Sequence, residues 1–236
     1  MAARPRVKIR EIVRPGDPAV ARAHQMLRRY FHSGEVVDRT EWEHSLRERQ
    51  ASLWTDIRWH LVVAEIDSRV VGLATGNYLG NVNHGLVGYL VVTPQARGLM
   101  IGPRLRDRLR ALFARDAMQI RGEPLEAIVG EVRLDNPWLR SLTRHHMALP
   151  LAFSYLQPRL RRGGRVIPLV LYYETFDRPR SRLSSRFLKK LLYTVWRRIY
   201  RISRPLQHAA FRRMLRELDR KTYIGRLELP EPKPNH

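Results

Sequence analysis

Apolar and polar positions alternate along the chain with a period that changes, and each change marks the boundary of a predicted helix or strand. Residues 7–13 alternate with period two, which predicts a short strand. Helical patterns follow over 18–31 and 40–53, the first opened by Asp17 and the second by Thr40 as capping residues. The predicted fold therefore begins with one strand and two helices.

Three apolar runs come next, at 60–66, 70–79 and 85–92. A short polar turn separates the first two, which is typical of a β-hairpin, so we predict three consecutive antiparallel strands. A loop with two glycines then leads into a helical pattern over 103–118. Residues 127–132 predict a further buried strand.

A short helix and a closing pair of strands complete this part of the chain. The helix is expected from 136 to about 147, and the runs 151–160 and 166–176 flank a Gly-Gly pair at 163–164. The predicted order is β, α, α, β, β, β, α, β, α, β, β. It indicates an α/β (α+β) fold with a mixed, mostly antiparallel sheet of about seven strands flanked by helices.

The last quarter of the chain has a different pattern. Apolar residues recur at helical spacing over 183–199 and 206–221, with Arg and Lys at most other positions. The prolines of 230–236 predict a disordered end. We therefore predict a mixed α/β domain over 1–177 and a basic amphipathic helical extension over 178–236.

Charge distinguishes the extension from the domain before it. The formal net charge is +22, and residues 178–236 hold 17 Lys/Arg against 4 Asp/Glu, whereas residues 1–177 hold 27 against 18. Such asymmetry points to an acidic partner. Three interpretations stay open: the apolar stripe packs on the domain with its arginines solvated, or the extension lies on an anionic membrane surface, or it binds nucleic acid.

Composition excludes several classes of chemistry. The chain has no cysteine, which excludes thiolate nucleophiles, disulfides, iron–sulfur clusters and Cys-based zinc sites. Its nine histidines are scattered without the spacing of zinc enzymes, so no metal is expected. No segment approaches the roughly 20 apolar residues of a membrane span, and no apolar run follows the first basic residues. We expect a cytoplasmic protein, either free or peripheral to the membrane.

The segment VVTPQARGLMIG, residues 91–102, carries the clearest chemical signal. A strand ends there in a loop that opens a helix, an arrangement that presents free backbone N–H groups and the positive end of a helix dipole to an anion. Gly98 and Gly102 would allow its close approach. An ordinary strand-to-helix turn could look the same, but the order of the surrounding elements favours phosphate binding.

With this loop and element order, residues 7–177 resemble the GNAT superfamily of acyl-CoA N-acyltransferases. The coenzyme A loop of that family reads Gln/Arg-x-x-Gly-x-Gly/Ala after a strand ending in Val-x-Pro. Gln95, Gly98 and the strand end 92–94 match, whereas Met100 stands where Gly or Ala is usual. The resemblance implies acetyl-CoA, or another acyl-CoA, as co-substrate and acyl transfer to a primary amine by direct attack.

The same resemblance implies which residues hold the coenzyme. The strand before the loop would pair with the pantetheine arm, the loop amides would hold the pyrophosphate, and an Asn at the start of the next helix would reach the pantetheine. The corresponding residues are Leu90, Val91 and Val92; Arg97, Gly98, Leu99, Met100, Ile101 and Gly102; and Asn136. Asn136 could equally serve only as a helix cap.

Acyl transfer to an amine needs a base for the amine and an acid for the leaving thiolate. The strand Glu of the family is missing from 85–92, which leaves His84 or Glu131 as candidate bases. The usual acid is a Tyr seven residues after the Asn, and Thr143 occupies that position here. The substitutes are His145, His146 and Tyr155, and each has a packing or surface role as its alternative.

Together these observations favour an acyl-CoA-dependent N-acyltransferase, most simply an acetyltransferase, that acts on an amine of a small molecule or a protein. The rival interpretation is a non-catalytic module that senses coenzyme A or serves as a scaffold, and whose basic extension binds a membrane surface or nucleic acid. The phosphate loop favours the enzyme, and the missing Glu and Tyr favour the module.

Overall fold

The computed structural model describes residues 5–160 and 164–229. The chain divides into two compact units: the first runs to Glu126, and the second begins at Ala127. Leu160 and Gly164 group with the first unit. The predicted disordered end, 230–236, lies outside the described residues, as does the first residue of the predicted Gly-Gly turn.

Antiparallel strands and a long helix make up the first unit. Its elements are β1 (Lys8–Ile12), α1 (Pro18–Tyr30), α2 (Arg39–Gln50), β2 (Ile57–Ile66), β3 (Arg69–Leu79), β4 (His84–Val92) and α3 (Ile101–Arg121). The strands lie in the order β1-β2-β3-β4, and α3 packs on β2, β3 and β4. A Cβ at Gly85 or Gly76 would come within 2.2 or 2.6 Å of the Phe113 ring, so these glycines let α3 pack closely.

The second unit is built around β8, which pairs antiparallel with β5, β6 and β7. Its elements are β5 (Ala127–Val132), α4 (Pro137–His145), β6 (Ala148–Pro150), β7 (Tyr155–Gln157), β8 (Ile167–Glu174), β9 (Arg182–Ser184), α5 (Ser185–Thr194), α6 (Ala209–Asp219) and β10 (Tyr223–Gly225). β9 pairs with β10, and a π-helical turn, Val195–Ile199, continues α5.

The predicted fold class, a mixed and mostly antiparallel sheet flanked by helices, is confirmed. The predicted order of elements is found, with one additional strand, β6. This strand can form because α4 ends at His145 and Met147 turns the chain with a left-handed φ of 48°. The predicted strand 151–160 shrinks to 155–157. Leu151 instead forms a bridge with Arg226, a partner too distant in sequence for a local pattern to indicate.

Two further differences concern helices. The N-cap of α2 is Asp38 rather than Thr40, so this helix begins earlier than predicted. The predicted boundary between 177 and 178 falls inside the second unit. The apolar stripe of the C-terminal helices is buried there, with zero exposure at Leu188, Leu191, Leu192, Trp196, Phe211, Met214 and Leu218.

A buried charge cluster joins β1, β2, α2 and α3 in the first unit. His60, at zero exposure, places Nδ1 2.7 Å from Glu11 and Nε2 2.6 Å from Asp116. The His60 ring therefore bridges the two carboxylates, which act as hydrogen-bond acceptors when ionised. Arg49 donates to Glu11 at 2.5 Å, and Arg58 to Asp116 at 3.2 Å. The cluster therefore balances two interior carboxylates with cations.

The cations set the ionisation of these carboxylates. Burial alone would raise the pKa of Glu11, but the hydrogen bonds from His60 and Arg49 outweigh it and hold the pKa at about 2. In Asp116 burial is likewise outweighed, and the contact with His60 lowers the pKa. Both groups are thus ionised and structural at neutral pH.

Candidate functional site

The loop between β4 and α3, in the first unit, presents a run of unpaired backbone N–H groups. The amides of Ala96 and Arg97 bond back to Thr93 and Pro94. Beyond them, within the described part of the chain, no acceptor is bonded to the N–H groups of Gly98, Leu99, Met100, Ile101 and Gly102. These amides open the 21-residue helix α3, whose dipole is positive at this end. The loop can therefore hold an anion through its main chain.

The space beside the loop is open. A Cβ built on Gly98 meets nothing within 4 Å, and one on Gly102 meets only the Val92 side chain at 3.9 Å. Gly98 has a φ of +82°, which only glycine adopts freely. Met100, at the unusual motif position, has a left-handed φ of 55° and is 64% exposed, so its side chain does not fill the loop. Among the described residues, only the Val92 side chain therefore approaches the space beside these two glycines.

A β-bulge lies in β4 just before the residues predicted to hold pantetheine. The register against β3 shifts once, where 88–89 stand opposite Thr75 alone. The backbone N–H of Tyr89 donates to Thr75 Oγ1 at 3.0 Å, and a Cβ at Gly88 would lie 3.0 Å from the same oxygen. Bulges bend a strand and are frequent beside active sites. Residues 90–92 follow this bend directly.

In the second unit, Glu131 on β5 is held by two phenols. Tyr155 donates its hydroxyl to Oε1 of Glu131, and Tyr200 donates to Oε2. Among the described residues, no Lys, Arg or His forms an ion pair with this carboxylate. Burial raises its pKa and the two phenol hydrogen bonds lower it only in part, so that the pKa is about 7. The residue as a whole is half-buried.

The two phenols differ in their origin along the chain. Tyr155 lies on β7 and is 1% exposed, and its pKa is raised well above the ordinary value, first by burial and then by the Glu131 charge. Tyr200 directly follows the π-helical turn 195–199. Sequence reasoning did not find Tyr200 as a site residue, because 69 positions separate it from Glu131. Such turns are frequent at functional sites, which is a signal visible only in the structure.

The three histidines predicted as candidate base or acid do not share the surroundings of Glu131. His84 begins β4 at zero exposure, and its Nδ1 donates to the carbonyl of Val82. His145 is the exposed last residue of α4, and His146 packs its ring 5.7 Å from that of Trp138. These contacts favour packing for His84 and His146 and a surface position for His145. Within the described residues, no group of three His, Asp or Glu side chains is arranged to hold a metal ion.

The start of α4 carries the remaining candidates. Asn136 caps the helix, with Oδ1 accepting the backbone N–H of Trp138 at 3.0 Å. The side-chain amide nitrogen of Asn136 takes no part in this cap. Thr143, at the position of the family Tyr, donates its hydroxyl to the Arg140 carbonyl at 2.8 Å. The hydroxyl of Thr143 is therefore engaged within its own helix.

Comparison with known proteins identifies a family. The model described as the acetyltransferase (GNAT) family matches residues 21–140, which include the loop and Glu131. No curated protein matches the chain. Among the described residues, no helix has both the length and the apolar character needed to cross a membrane.

Solved structures share the fold at low sequence identity. A proposed GNAT acetyltransferase from Bacteroides thetaiotaomicron is 17% identical with a TM-score of 0.58, covering 83% of this chain and 99% of that one. A GNAT acetyltransferase from Streptococcus pneumoniae is 17% identical with a TM-score of 0.50, covering 72% and 100%. Ard1 from Thermoplasma volcanium is 14% identical with a TM-score of 0.50, covering 72% and 99%.

Proposed function

Since the chain belongs to the GNAT acetyltransferase family, we propose that it transfers an acetyl group from acetyl-CoA to a primary amine by direct attack. The observation that carries the proposal is the Glu131 carboxylate, which two phenols orient and whose pKa is about 7. A general base works best when its pKa lies near the working pH. Glu131 is therefore the candidate base, in preference to His84.

The main chain of the loop is the proposed site for the diphosphate of the coenzyme. Its run of free N–H groups, from 98 to 102, ends at the N-terminus of α3, and both features attract an anion. The open space at Gly98 and Gly102 supports the same assignment. Residues 90–92 and the amide nitrogen of Asn136 are proposed to contact the pantetheine.

Acetyl-CoA supplies a thioester, whose carbonyl carbon forms a C–N bond with the amine nitrogen while its C–S bond breaks. Ionised Glu131 accepts the proton that the amine loses. Tyr155 and Tyr200 hold the two carboxylate oxygens by donating to them. The Tyr155 hydroxyl is the proposed acid: it gives a proton to the departing thiolate and takes one back from Glu131, so protons balance over one turnover.

The acceptor is proposed to be an amine of a small molecule or of a protein, and the proposed location is the cytoplasm. The rival function, a module that binds coenzyme A without turnover, has one observation in its favour. Thr143 cannot replace the family Tyr, because its hydroxyl is bonded to Arg140. The Glu131 cluster outweighs this, since Tyr155 offers a phenol on the carboxylate itself.

The test is a turnover assay with acetyl-CoA and a panel of primary amines, read as free thiol and as acetylated product by mass spectrometry. Glu131→Gln should lower kcat/KM by about 10²- to 10⁴-fold, the usual contribution of a general base. The matched control is Glu228→Gln, which makes the same change at an exposed position of the second unit.

Coenzyme binding separates the rivals. Calorimetric titration with coenzyme A should give equal affinity for the wild type and for Glu131→Gln, because the carboxylate is not assigned to the diphosphate. Binding without turnover of any amine would support the sensing module. Absence of binding would contradict the loop assignment itself.

A further inference from the structure

The two C-terminal helices expose cations that no described residue neutralises. Positions spaced mostly three or four residues apart lie on one face of a helix. The exposed positions of this kind are Arg186, Lys190, Tyr193 and Arg197 on α5 and its π-helical turn, and Arg212, Arg213, Arg216 and Arg220 on or next to α6. Within the described part of the chain, the side chains of these seven cations make no ion pair or hydrogen bond.

The two cationic stripes lie on neighbouring helices of the second unit. α5 and α6 pack on each other, with the Tyr193 ring edge-on to Phe211 at a centroid distance of 6.3 Å. Lys189 on α5 also pairs with Asp219 on α6. Tyr193 is 42% exposed, so an aromatic ring is accessible within the α5 stripe. We call these seven cations with Tyr193 the basic surface.

The chemistry of the basic surface fits a phosphate backbone. Six of its seven cations are arginines, whose planar fork matches phosphate oxygens in pairs. Exposed aromatic rings among cations provide stacking platforms for unpaired bases. The wider segment, residues 178–236, has 17 Lys/Arg against 4 Asp/Glu, which would draw a polyanion from a distance.

An anionic membrane fits the basic surface less well. An interfacial helix needs an apolar face that enters the headgroup layer. The apolar faces of α5 and α6 are already buried within the protein, with zero exposure at Leu188, Leu191, Leu192, Met214 and Leu218. Of the large apolar side chains on α5 and α6, Tyr193 alone is more than one third exposed.

We propose that the basic surface binds single-stranded nucleic acid, with the arginines on the phosphates and a base stacked on Tyr193. This interaction is separate from acetyl transfer. It would place the acetyltransferase on a nucleic acid or on a nucleic-acid-containing assembly.

The first test is fluorescence anisotropy of a labelled oligouridylate with the full chain over a salt series. For a single strand, each phosphate contact contributes about −0.7 to the slope of log K against log salt concentration. Four to seven contacts therefore predict a slope of about −3 to −5. Arg212→Glu/Arg216→Glu should weaken binding at least tenfold and reduce the slope by about 1.4. The control pair is Arg28→Glu/Arg69→Glu, which makes the same charge change at exposed positions of the first unit.

The second test isolates stacking. Tyr193→Leu keeps an apolar contact with Phe211 but removes the aromatic face, and should weaken oligouridylate binding about tenfold, within the usual range for one stacked base. Its affinity for inorganic polyphosphate should not change. Tyr193→Phe should restore the affinity for oligouridylate.

Three results would overturn the proposal. The first is an equal loss of affinity in the control pair, which would show that only net charge matters. The second is tighter binding to phosphatidylserine vesicles than to oligouridylate, which would assign the surface to membranes. The third is no binding of oligouridylate at low salt.

Discussion

Two clusters of interior carboxylates, one in each unit, differ in what donates to them. In the first unit, Glu11 and Asp116 share the His60 ring and receive hydrogen bonds from the cations Arg49 and Arg58, and their pKa values are lowered. In the second unit, the described donors to the Glu131 carboxylate are two neutral phenols, and burial raises its pKa to about 7. The difference shows that the charge of the donors, rather than burial alone, decides whether an interior carboxylate stays ionised or titrates near neutrality.

The same difference reverses the effect of pH on stability. Glu11 contributes stability that is present above its unfolded pKa of about 4.5 and is lost as the pH falls through about 2. Glu131 has the opposite effect. Its contribution to stability is fully present below pH about 4.5 and is lost as the pH rises through about 7. At neutral pH the first cluster therefore stabilises the fold. Ionisation of Glu131 in the second cluster instead lowers stability, but it provides a carboxylate that can act as a base.

The largest expected effect comes from removing His60, the buried donor at the centre of the first cluster. His60→Leu removes the buried donor that Glu11 and Asp116 share and leaves their hydrogen bonds from Arg49 and Arg58 in place, and it should lower the free energy of unfolding by about 3–5 kcal/mol. Urea denaturation at neutral pH measures this. The control is His44→Leu, since the His44 side chain is 52% exposed and pairs only with Glu48 on the same helix. A loss as small as that of the control would show that His60 does not stabilise the two buried carboxylates.

Replacing the two carboxylates as well as His60 sharpens the argument. A triple change to Leu at positions 11, 60 and 116 removes both carboxylates together with His60 and leaves Arg49 and Arg58, whose side chains are 19% and 35% exposed, so it should recover part of the stability that His60→Leu loses. If the triple variant is no more stable than the single one, packing rather than unpaired charge explains the loss.

A smaller effect of opposite sign is expected at Glu131. Glu131→Gln removes a carboxylate whose ionisation opposes folding, and should raise the free energy of unfolding by about 1–3 kcal/mol at pH 8. The gain should shrink as the pH falls toward 4.5, the ordinary carboxyl pKa. Thermal unfolding across this pH range, with Glu228→Gln as control, measures it. A pH-independent gain would mean that the raised pKa of Glu131 is not its cause.

The sequence predicted the parts of the protein that depend on local patterns. The strand 127–132 lies where its apolar run indicated. Asn136 caps α4, which was one of the two roles that the sequence left open for it. Periodicity also placed the loop with its free amides between a strand and a helix. These features depend on neighbours within a few residues, which a pattern can show.

The parts that the sequence did not predict depend on distant contacts. The identity of Glu131 as a carboxylate on a strand was visible, but its two phenol donors come from 24 and 69 positions away. The bridge between Leu151 and Arg226, which shortens the predicted strand, is of the same kind. Burial of the C-terminal stripe was one of three open interpretations, because an amphipathic pattern does not say what covers its apolar face.

The smallest expected effect tests whether Tyr200 tunes Glu131 or merely packs beside it. Because the base must be ionised, wild-type kcat/KM should rise with pH and level off above about 7. Tyr200→Phe removes a hydrogen bond that lowers the pKa of Glu131, so the midpoint should move up by about one pH unit, the equivalent of about 1.4 kcal/mol. Tyr223→Phe, at an exposed tyrosine of the same unit, should leave the midpoint in place. A lower rate with an unmoved midpoint would assign Tyr200 to packing, and the contrast between the two clusters would then depend on Tyr155 alone.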